Sequence, residues 1–383
     1  MRDYTFLVAL LLLIATLSLP DKDNKPRKNK PYRRILYTED ELSMDDCCKR
    51  ANSIGIKVVK ELPFIGGMVC EMEDGQDAKL LTLDRTLKIE EDIKVYATCS
   101  NFTKGAVPSG AIPTDSITLT GAPQIWQRST GKGVSVAVID TGIAKHQDLN
   151  VLSGISTLGE THTDNYLDDN GHGTHVAGII AASGKNQGLL GMAPNVDLYA
   201  VKALDKYGSG YVSDIIEGIA WAVENDMDIA NLSLGTSETS EALRRAVRRA
   251  AMSSTILVAA SGNSGLTSNP GVLYPAKYPE VLSVGSVNSN GTFSTFTSYG
   301  PELDMLAYGE NILSTYLGNS YRRESGTSMA APQVSGALAL LLGLRYRSSD
   351  AVKALLNSTK RLNLPAEKQG RGLISLIPFV HSY

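Results

Sequence analysis

Val134-Ser135-Val136-Ala137-Val138-Ile139-Asp140-Thr141-Gly142 is a short, mostly apolar run that ends on a carboxylate and then a turn glycine. Such a run, bounded by a turn signal, reads as a buried strand. It delivers Asp140 to the strand's carboxyl end. Residues 198–204, 228–234, 255–260 and 281–284 repeat the pattern, with helix-like segments at 172–182, 212–224 and 241–252 between them. Apolar strands alternating with helices predict an α/β fold, a mainly parallel sheet with helices on both faces. Ligands of such sheets sit outside the carboxyl ends of the strands. Functional residues are therefore expected at strand ends and at the starts of the following helices.

The residues at those positions have a common chemistry. Asn170-Gly171-His172-Gly173-Thr174-His175 places a histidine where a helix begins, and Gly326-Thr327-Ser328-Met329-Ala330-Ala331-Pro332 does the same for a serine. A serine hydroxyl is a weak nucleophile. It needs a base to take its proton and a carboxylate to orient that base. Asp140, His172 and Ser328 supply the three roles. Ser261-Gly262-Asn263 follows the run at residues 255–260, so the Asn263 amide and the Ser328 backbone N–H are expected to bind an oxyanion.

Bulk properties exclude other classes. The chain has 383 residues, enough for one large domain and a smaller unit. Its formal net charge of −3 gives no leaning toward nucleic acid. Cys47, Cys48, Cys70 and Cys99 all precede residue 100 and lack zinc-like spacing, so the larger domain must be stable without disulfides. Residues 6–19 are almost wholly apolar, which suits a signal peptide over residues 1–20 better than a full membrane span. The basic flank after them makes a short membrane anchor the competing reading. A linker over 21–32 precedes residues 33–97, whose order β-α-β-β-α-β is ferredoxin-like, with one last strand over 87–96. The Gly-, Pro- and Ser-containing stretch 98–120 reads as a second linker, and 121–383 as the large domain.

The Asp140, His172 and Ser328 motifs, in that order, resemble those of the subtilase family of serine proteases. The likeness runs from about residue 122 to 374 and includes Ser209-Gly210, Asn231-Leu232-Ser233-Leu234-Gly235 and Tyr274-Pro275-Ala276-Lys277-Tyr278-Pro279. It implies a secreted endopeptidase that cuts polypeptides through an acyl-enzyme and is monomeric when mature. It also implies that residues 33–97 are a propeptide, both folding aid and inhibitor, removed by self-cleavage between about Tyr96 and Ala111. Gly208, Ser209, Gly210 and Ser233, Leu234, Gly235 match the backbone segments that hold an extended substrate as an added strand. Leu273 stands where the family often has a glycine at the base of the primary pocket, which implies a shallower pocket. Two rival readings are a catalytically silent binding protein of the same fold and a tethered or intracellular processing protease of narrow specificity.

No cofactor is expected. Asp148 matches a calcium ligand of many relatives, but Lys185 lies in the loop where another oxygen donor would be needed, which argues against calcium. His175 and His146 are expected to be structural, and His162 and His381 to face solvent. Gln333 replaces a histidine common in the family and reads as a packing change. The stripe Arg244, Arg245, Arg248, Arg249 is expected to be a solvated helix face.

Overall fold

The computed structural model describes residues 31–38, 44–83, 86–99, 101–104, 112–185 and 188–380. The leader reading and His381 fall outside these residues. The N-terminal unit contains β1 (Tyr32–Thr38), α1 (Met44–Ser53), β2 (Lys57–Leu62), β3 (Gly67–Met72), α2 (Gln76–Leu83) and β4 (Leu87–Glu91). Its antiparallel sheet has the order β2-β3-β1-β4, the ferredoxin-like arrangement. Because side chains alternate across a strand, both faces of this sheet are used. Leu36, Met68, Cys70 and Met72 meet Ala51 and Leu80 of its own helices. Ile35, Tyr37, Val59 and Val69 belong instead to the core of the large domain.

The strand expected over residues 87–96 is two strands. After β4 the chain turns at Asp92 and continues as β5 (Lys94–Ala97), which leaves the small sheet for the large domain. Asp92 marks the break, and its carboxylate is committed to the large domain and to Arg33. It accepts from Ser213 N at 3.0 Å, Ser213 Oγ at 2.8 Å and Arg33 Nε at 2.9 Å.

The stretch 98–120, expected to be a linker, carries regular structure among its described residues. It holds β6 (Asn101–Lys104), β7 (Ile112–Pro113) and the helix α3 (Asp115–Thr120), joined through Gly121 to α4 (Ala122–Ile125). Ile117 is fully buried in the main core, so the large domain begins before residue 121. Polar composition concealed α3, whose single buried apolar side chain gives no period to read.

The large domain then runs β8 (Ser135–Asp140), β9 (Val151–Ser156), α5 (His172–Ala181), β10 (Leu189–Leu190), β11 (Asp197–Lys202), β12 (Ser209–Tyr211), α6 (Val212–Glu224), β13 (Ile229–Leu232), β14 (Leu234–Gly235), α7 (Glu241–Met252), β15 (Ile256–Ala260), β16 (Leu282–Val287), β17 (Met305–Tyr308), β18 (Ile312–Tyr316), β19 (Ser320–Ser325), α8 (Thr327–Gly343) and α9 (Ser348–Asn357). Seven strands form one parallel sheet in the order β17-β16-β15-β13-β8-β11-β9. Among its inner strands β8, β13 and β15 are nearly continuous apolar runs, and β16, whose Ser283, Gly285 and Ser286 interrupt the pattern, is equally buried, as coverage on both faces requires. The edge strand β9 carries exposed Leu152 and was not legible as a strand.

The arginine stripe on α7 is not simply solvated. Arg245 donates to Thr38 O at 2.7 Å and stacks over Tyr37, while Arg249 stacks over Phe64. The alkyl stems and guanidinium planes of these arginines cover the N-terminal unit. A helix with this charge pattern looks solvated when its partner lies in a distant part of the sequence.

Candidate active site

Asp140 closes β8 and is fully buried. Its Oδ1 accepts from His172 Nδ1 at 2.7 Å and from Thr141 N at 2.7 Å. His172 is the first residue of α5, and close packing brings that helix start against β8. A Cβ on Gly173 would lie 2.2 Å from Gly142 O, so only glycine lets the two backbones meet. Asp168, which the sequence reading passed over, fixes the junction. Its Oδ1 accepts from Thr141 Oγ1 and the N–H groups of Asn170 and Gly171, and its Oδ2 from Thr174 N and Oγ1. An aspartate just before a helix start is a capping signal, and that signal was present in Asp168-Asp169-Asn170-Gly171.

Burial alone would lower the pKa of His172. The Asp140 charge and hydrogen bond, with Glu324 and Asp168 beyond, outweigh it and raise the pKa above the ordinary 6.5. His175, one turn on, is buried, bonds Arg322 O at 3.0 Å and is held below 6.5 by desolvation. His146 lies 3.0 Å from Ser320 O. His162 is half-exposed and bonds Glu217 at 2.9 Å.

Ser328 is the second residue of α8. Pro332, four residues on, has no N–H, so the Ser328 carbonyl lacks its helical partner. Ser233 Oγ fills that place, donating to Ser328 O at 2.9 Å, and is itself held by Asn231 Nδ2 at 2.9 Å. Gln333 donates to Tyr308 O at 2.7 Å and packs in the core.

Asn263 is oriented from one side. Its Oδ1 accepts from Thr327 N and Thr327 Oγ1, both at 3.0 Å, which leaves Nδ2 facing the cleft. Nδ2 donates to Thr98 O at 2.8 Å, and Ser328 N reaches the same oxygen at 3.4 Å. A carbonyl of the chain itself thus occupies the two donors anticipated for an oxyanion. The Ser328 hydroxyl donates to Ser233 O at 2.9 Å and lies 2.7 Å from Thr98 Oγ1. His172 Nε2 has no hydrogen-bond partner among the described residues. Asp140 and His172 are therefore joined directly, while Ser328 is engaged with residue 98.

The chain around residue 98 lies across the cleft. β5 pairs antiparallel with both β12 and β14, so that Tyr96 faces Ser209 and Gly235 while Ala97 faces Leu234. Ala97 N donates to Gly208 O at 2.9 Å and Thr98 N to Ser233 O at 3.2 Å. Beyond the site, β6 pairs with β19. The six residues Gly208–Gly210 and Ser233–Gly235 thus grip a strand from both edges. Gly208 has φ of +72°, and a Cβ on Gly210 would sit 2.1 Å from Ala203 O, so neither tolerates a side chain. Leu273 is wedged beside this grip. A Cβ on Gly262 would lie 2.5 Å from its Cγ, and one on Gly235 would lie 2.9 Å from its Cβ. On the far side, Cys99, Asn170, His172, Tyr316, Arg322 and Glu324 line one cleft, which the sequence reading did not anticipate.

Asp148 is fully buried and is engaged by the segments on either side of residues 186–187. Oδ2 is taken by Tyr321 OH at 2.7 Å and Leu189 N at 2.8 Å, and the Leu189 carbonyl is taken by Gly184 N at 2.7 Å. The buried Oδ1 has no hydrogen-bond partner among the described residues, and a calcium ion would need about six to eight oxygens. Ala111 lies outside the described residues.

A model of the subtilase family matches residues 131–372. The chain is 46% identical over 371 residues to the thermostable alkaline protease of Halalkalibacterium halodurans, covering 96% of each protein. It is 40% identical over 328 residues to subtilisin NAT of Bacillus subtilis subsp. natto, covering 84% of this chain and 82% of that one. An alkaline protease of Alkalihalobacillus alcalophilus is 44% identical over 291 residues, 75% of this chain and 72% of the relative. With a parallel α/β sheet, an Asp140–His172 pair at its rim and a peptide strand held across it, the chain belongs to the subtilase family and is a subtilisin-type serine endopeptidase acting on polypeptides.

Proposed function

We propose that Ser328 is the nucleophile, His172 its general base and then acid, and Asp140 the carboxylate that orients the imidazole. Asn263 Nδ2 and Ser328 N stabilise the oxyanion. The observation that carries this reading is the Thr98 carbonyl, held by those two donors while the Ser328 hydroxyl lies beside the same residue. For attack, the hydroxyl swings from Ser233 O to His172 Nε2. His172 accepts the proton as Oγ adds to the carbonyl, then gives it to the leaving amine. Water completes the turnover by hydrolysing the acyl-enzyme. The N-terminal unit is a propeptide that inhibits by filling the cleft, and residues 1–20 direct export. Among the described residues no helix is long and apolar enough to cross a membrane.

The base role has a pH signature. Attack requires neutral His172, and a raised pKa keeps the ring protonated to higher pH. Self-processing is expected to quicken about tenfold per pH unit on its acid limb. Half-maximal rate should fall above pH 6.5, the ordinary histidine value. A midpoint at or below that value contradicts the raised pKa, and a rate with no acid limb removes His172 from the role of base.

The wedge made by Leu273 limits the primary pocket. Peptide substrates with Leu before the cut are expected to show about tenfold higher kcat/KM than those with Phe, the size of effect a pocket mismatch gives. Leu273→Gly should move the ratio toward Phe. A clear Phe preference in the parent enzyme contradicts the assignment.

A further inference from the structure

We infer that the bond cut in maturation is Thr98–Cys99, so that the released enzyme begins at Cys99. This rests on the proposed self-processing and names its site. Three observations converge on the bond. The Thr98 carbonyl oxygen sits between Asn263 Nδ2 and Ser328 N. The residues before it, Lys94–Ala97, are paired on both edges, and those after it, Asn101–Lys104, are paired with β19. Cys99 itself is seated: its thiol donates to Glu324 Oε2 at 3.4 Å, and its Cα lies 3.2 Å from the place a Cβ on Gly326 would take.

Register excludes the neighbouring bonds. Val95 is fully buried while Tyr96 is 52% exposed. Sliding the strand by one residue in either direction exchanges the two faces. The tyrosine would then have to enter the space of the valine, and Val95 would face water. Cutting at Ala97–Thr98 or Cys99–Ser100 carries that penalty, whereas the Thr98–Cys99 bond needs no movement of the strand.

In the reaction Ser328 Oγ bonds to the Thr98 carbonyl carbon and its proton passes to His172. The C–N bond to Cys99 then breaks, and His172 returns the proton to the new Cys99 amine. Water cleaves the Thr98 ester, leaving a carboxylate on Thr98 and restoring Ser328. No other reactant is required.

The test uses the full-length precursor. The reaction is stopped early, before secondary trimming, and digested with trypsin. Cleavage at this bond yields a peptide of residues 95–98 with a free carboxyl end and one of residues 99–104 with a free amine. The Ser328→Ala precursor should yield only the spanning peptide 95–104. The processed protein should also react with 2-cyanobenzothiazole, which condenses with amino-terminal cysteine, and the precursor should not. Cys99→Ala should be cut at the same bond and lose that label. Cys99→Pro, whose ring displaces the leaving nitrogen against Gly326, should process about 100-fold more slowly. If that variant does not fold, the two wild-type peptide ends decide alone. A first product beginning at any other residue, in an enzyme that digests casein, overturns the site and leaves the protease intact. A folded chain that neither cuts itself nor digests casein overturns both.

Discussion

The Ser328→Ala precursor should fold, keep its N-terminal unit covalently attached, and lose about a million-fold in peptide-hydrolysis rate. That magnitude belongs to subtilisin and is borrowed from it rather than derived from these distances. Folding should survive because, among the described residues, the hydroxyl makes only two hydrogen bonds, with Ser233 O and Thr98 Oγ1. Losing them costs about 1 kcal/mol. The oxyanion donors remain in the variant, so a residue of catalysis over water should persist. A fluorophosphonate probe should label Ser328 in the mature wild type and leave the variant unlabelled. Retention of more than about 1% of wild-type casein hydrolysis, or labelling at another serine, would falsify the assignment.

The sheet and the three motifs could be read from the chain because each rests on local signals. Buried parallel strands advertise themselves as apolar runs, and Asp140, His172 and Ser328 each stand at a strand end or helix start. Asn263 followed from the same rule. Thr98 could not be read this way. Nothing in Ala97-Thr98-Cys99 marks it as the residue at the oxyanion donors, because its place is set by pairing with strands more than a hundred residues away. The same limit explains the arginines of α7. Their periodicity reads as solvent-facing, and only tertiary structure brings Tyr37 and Phe64 beneath them.

The break between β4 and β5 shows a different limit. Hydrophobic pattern continues across residues 87–96, so one strand was the natural reading. Two carboxylates override it. Glu90 accepts from Glu241 N at 3.0 Å, Ala242 N at 3.2 Å and Ser240 Oγ, while Asp92 accepts from Ser213 N. Each carboxylate sits at the start of a helix of the large domain, α7 and α6 respectively, where free N–H groups and the helix dipole favour negative charge. Acid residues at these two positions thus dock one unit on another, a role sequence periodicity does not encode.

Lys60→Met is expected to weaken the hold of the cut N-terminal unit on the enzyme by about 100-fold. Lys60 Nζ lies 2.6 Å from Asp214 Oδ1, 2.5 Å from Glu217 Oε2 and 3.1 Å from Thr157 O, with its side chain 3% exposed. Methionine fills similar space but leaves two buried carboxylates without their cation, which costs about 3 kcal/mol or more. Since 1.4 kcal/mol is about tenfold in affinity, the loss corresponds to two orders of magnitude. Dissociation relieves it by returning the carboxylates to water, so the cost falls on the interface. Diluting the processed complex should therefore release casein-digesting activity at about 100-fold higher concentration than in wild type. Adding Asp214→Asn and Glu217→Gln should recover most of the loss, which a packing defect would not allow. The sign with pH also follows. Burial raises the Asp214 pKa and Lys60 opposes it, so without the lysine the bound state takes up a proton more readily than the free enzyme. Binding that is coupled to proton uptake strengthens as pH falls. The Lys60→Met defect should accordingly be smaller at mildly acidic than at alkaline pH. A dilution midpoint that moves less than about threefold would mean that the buried lysine is not what holds the N-terminal unit in place.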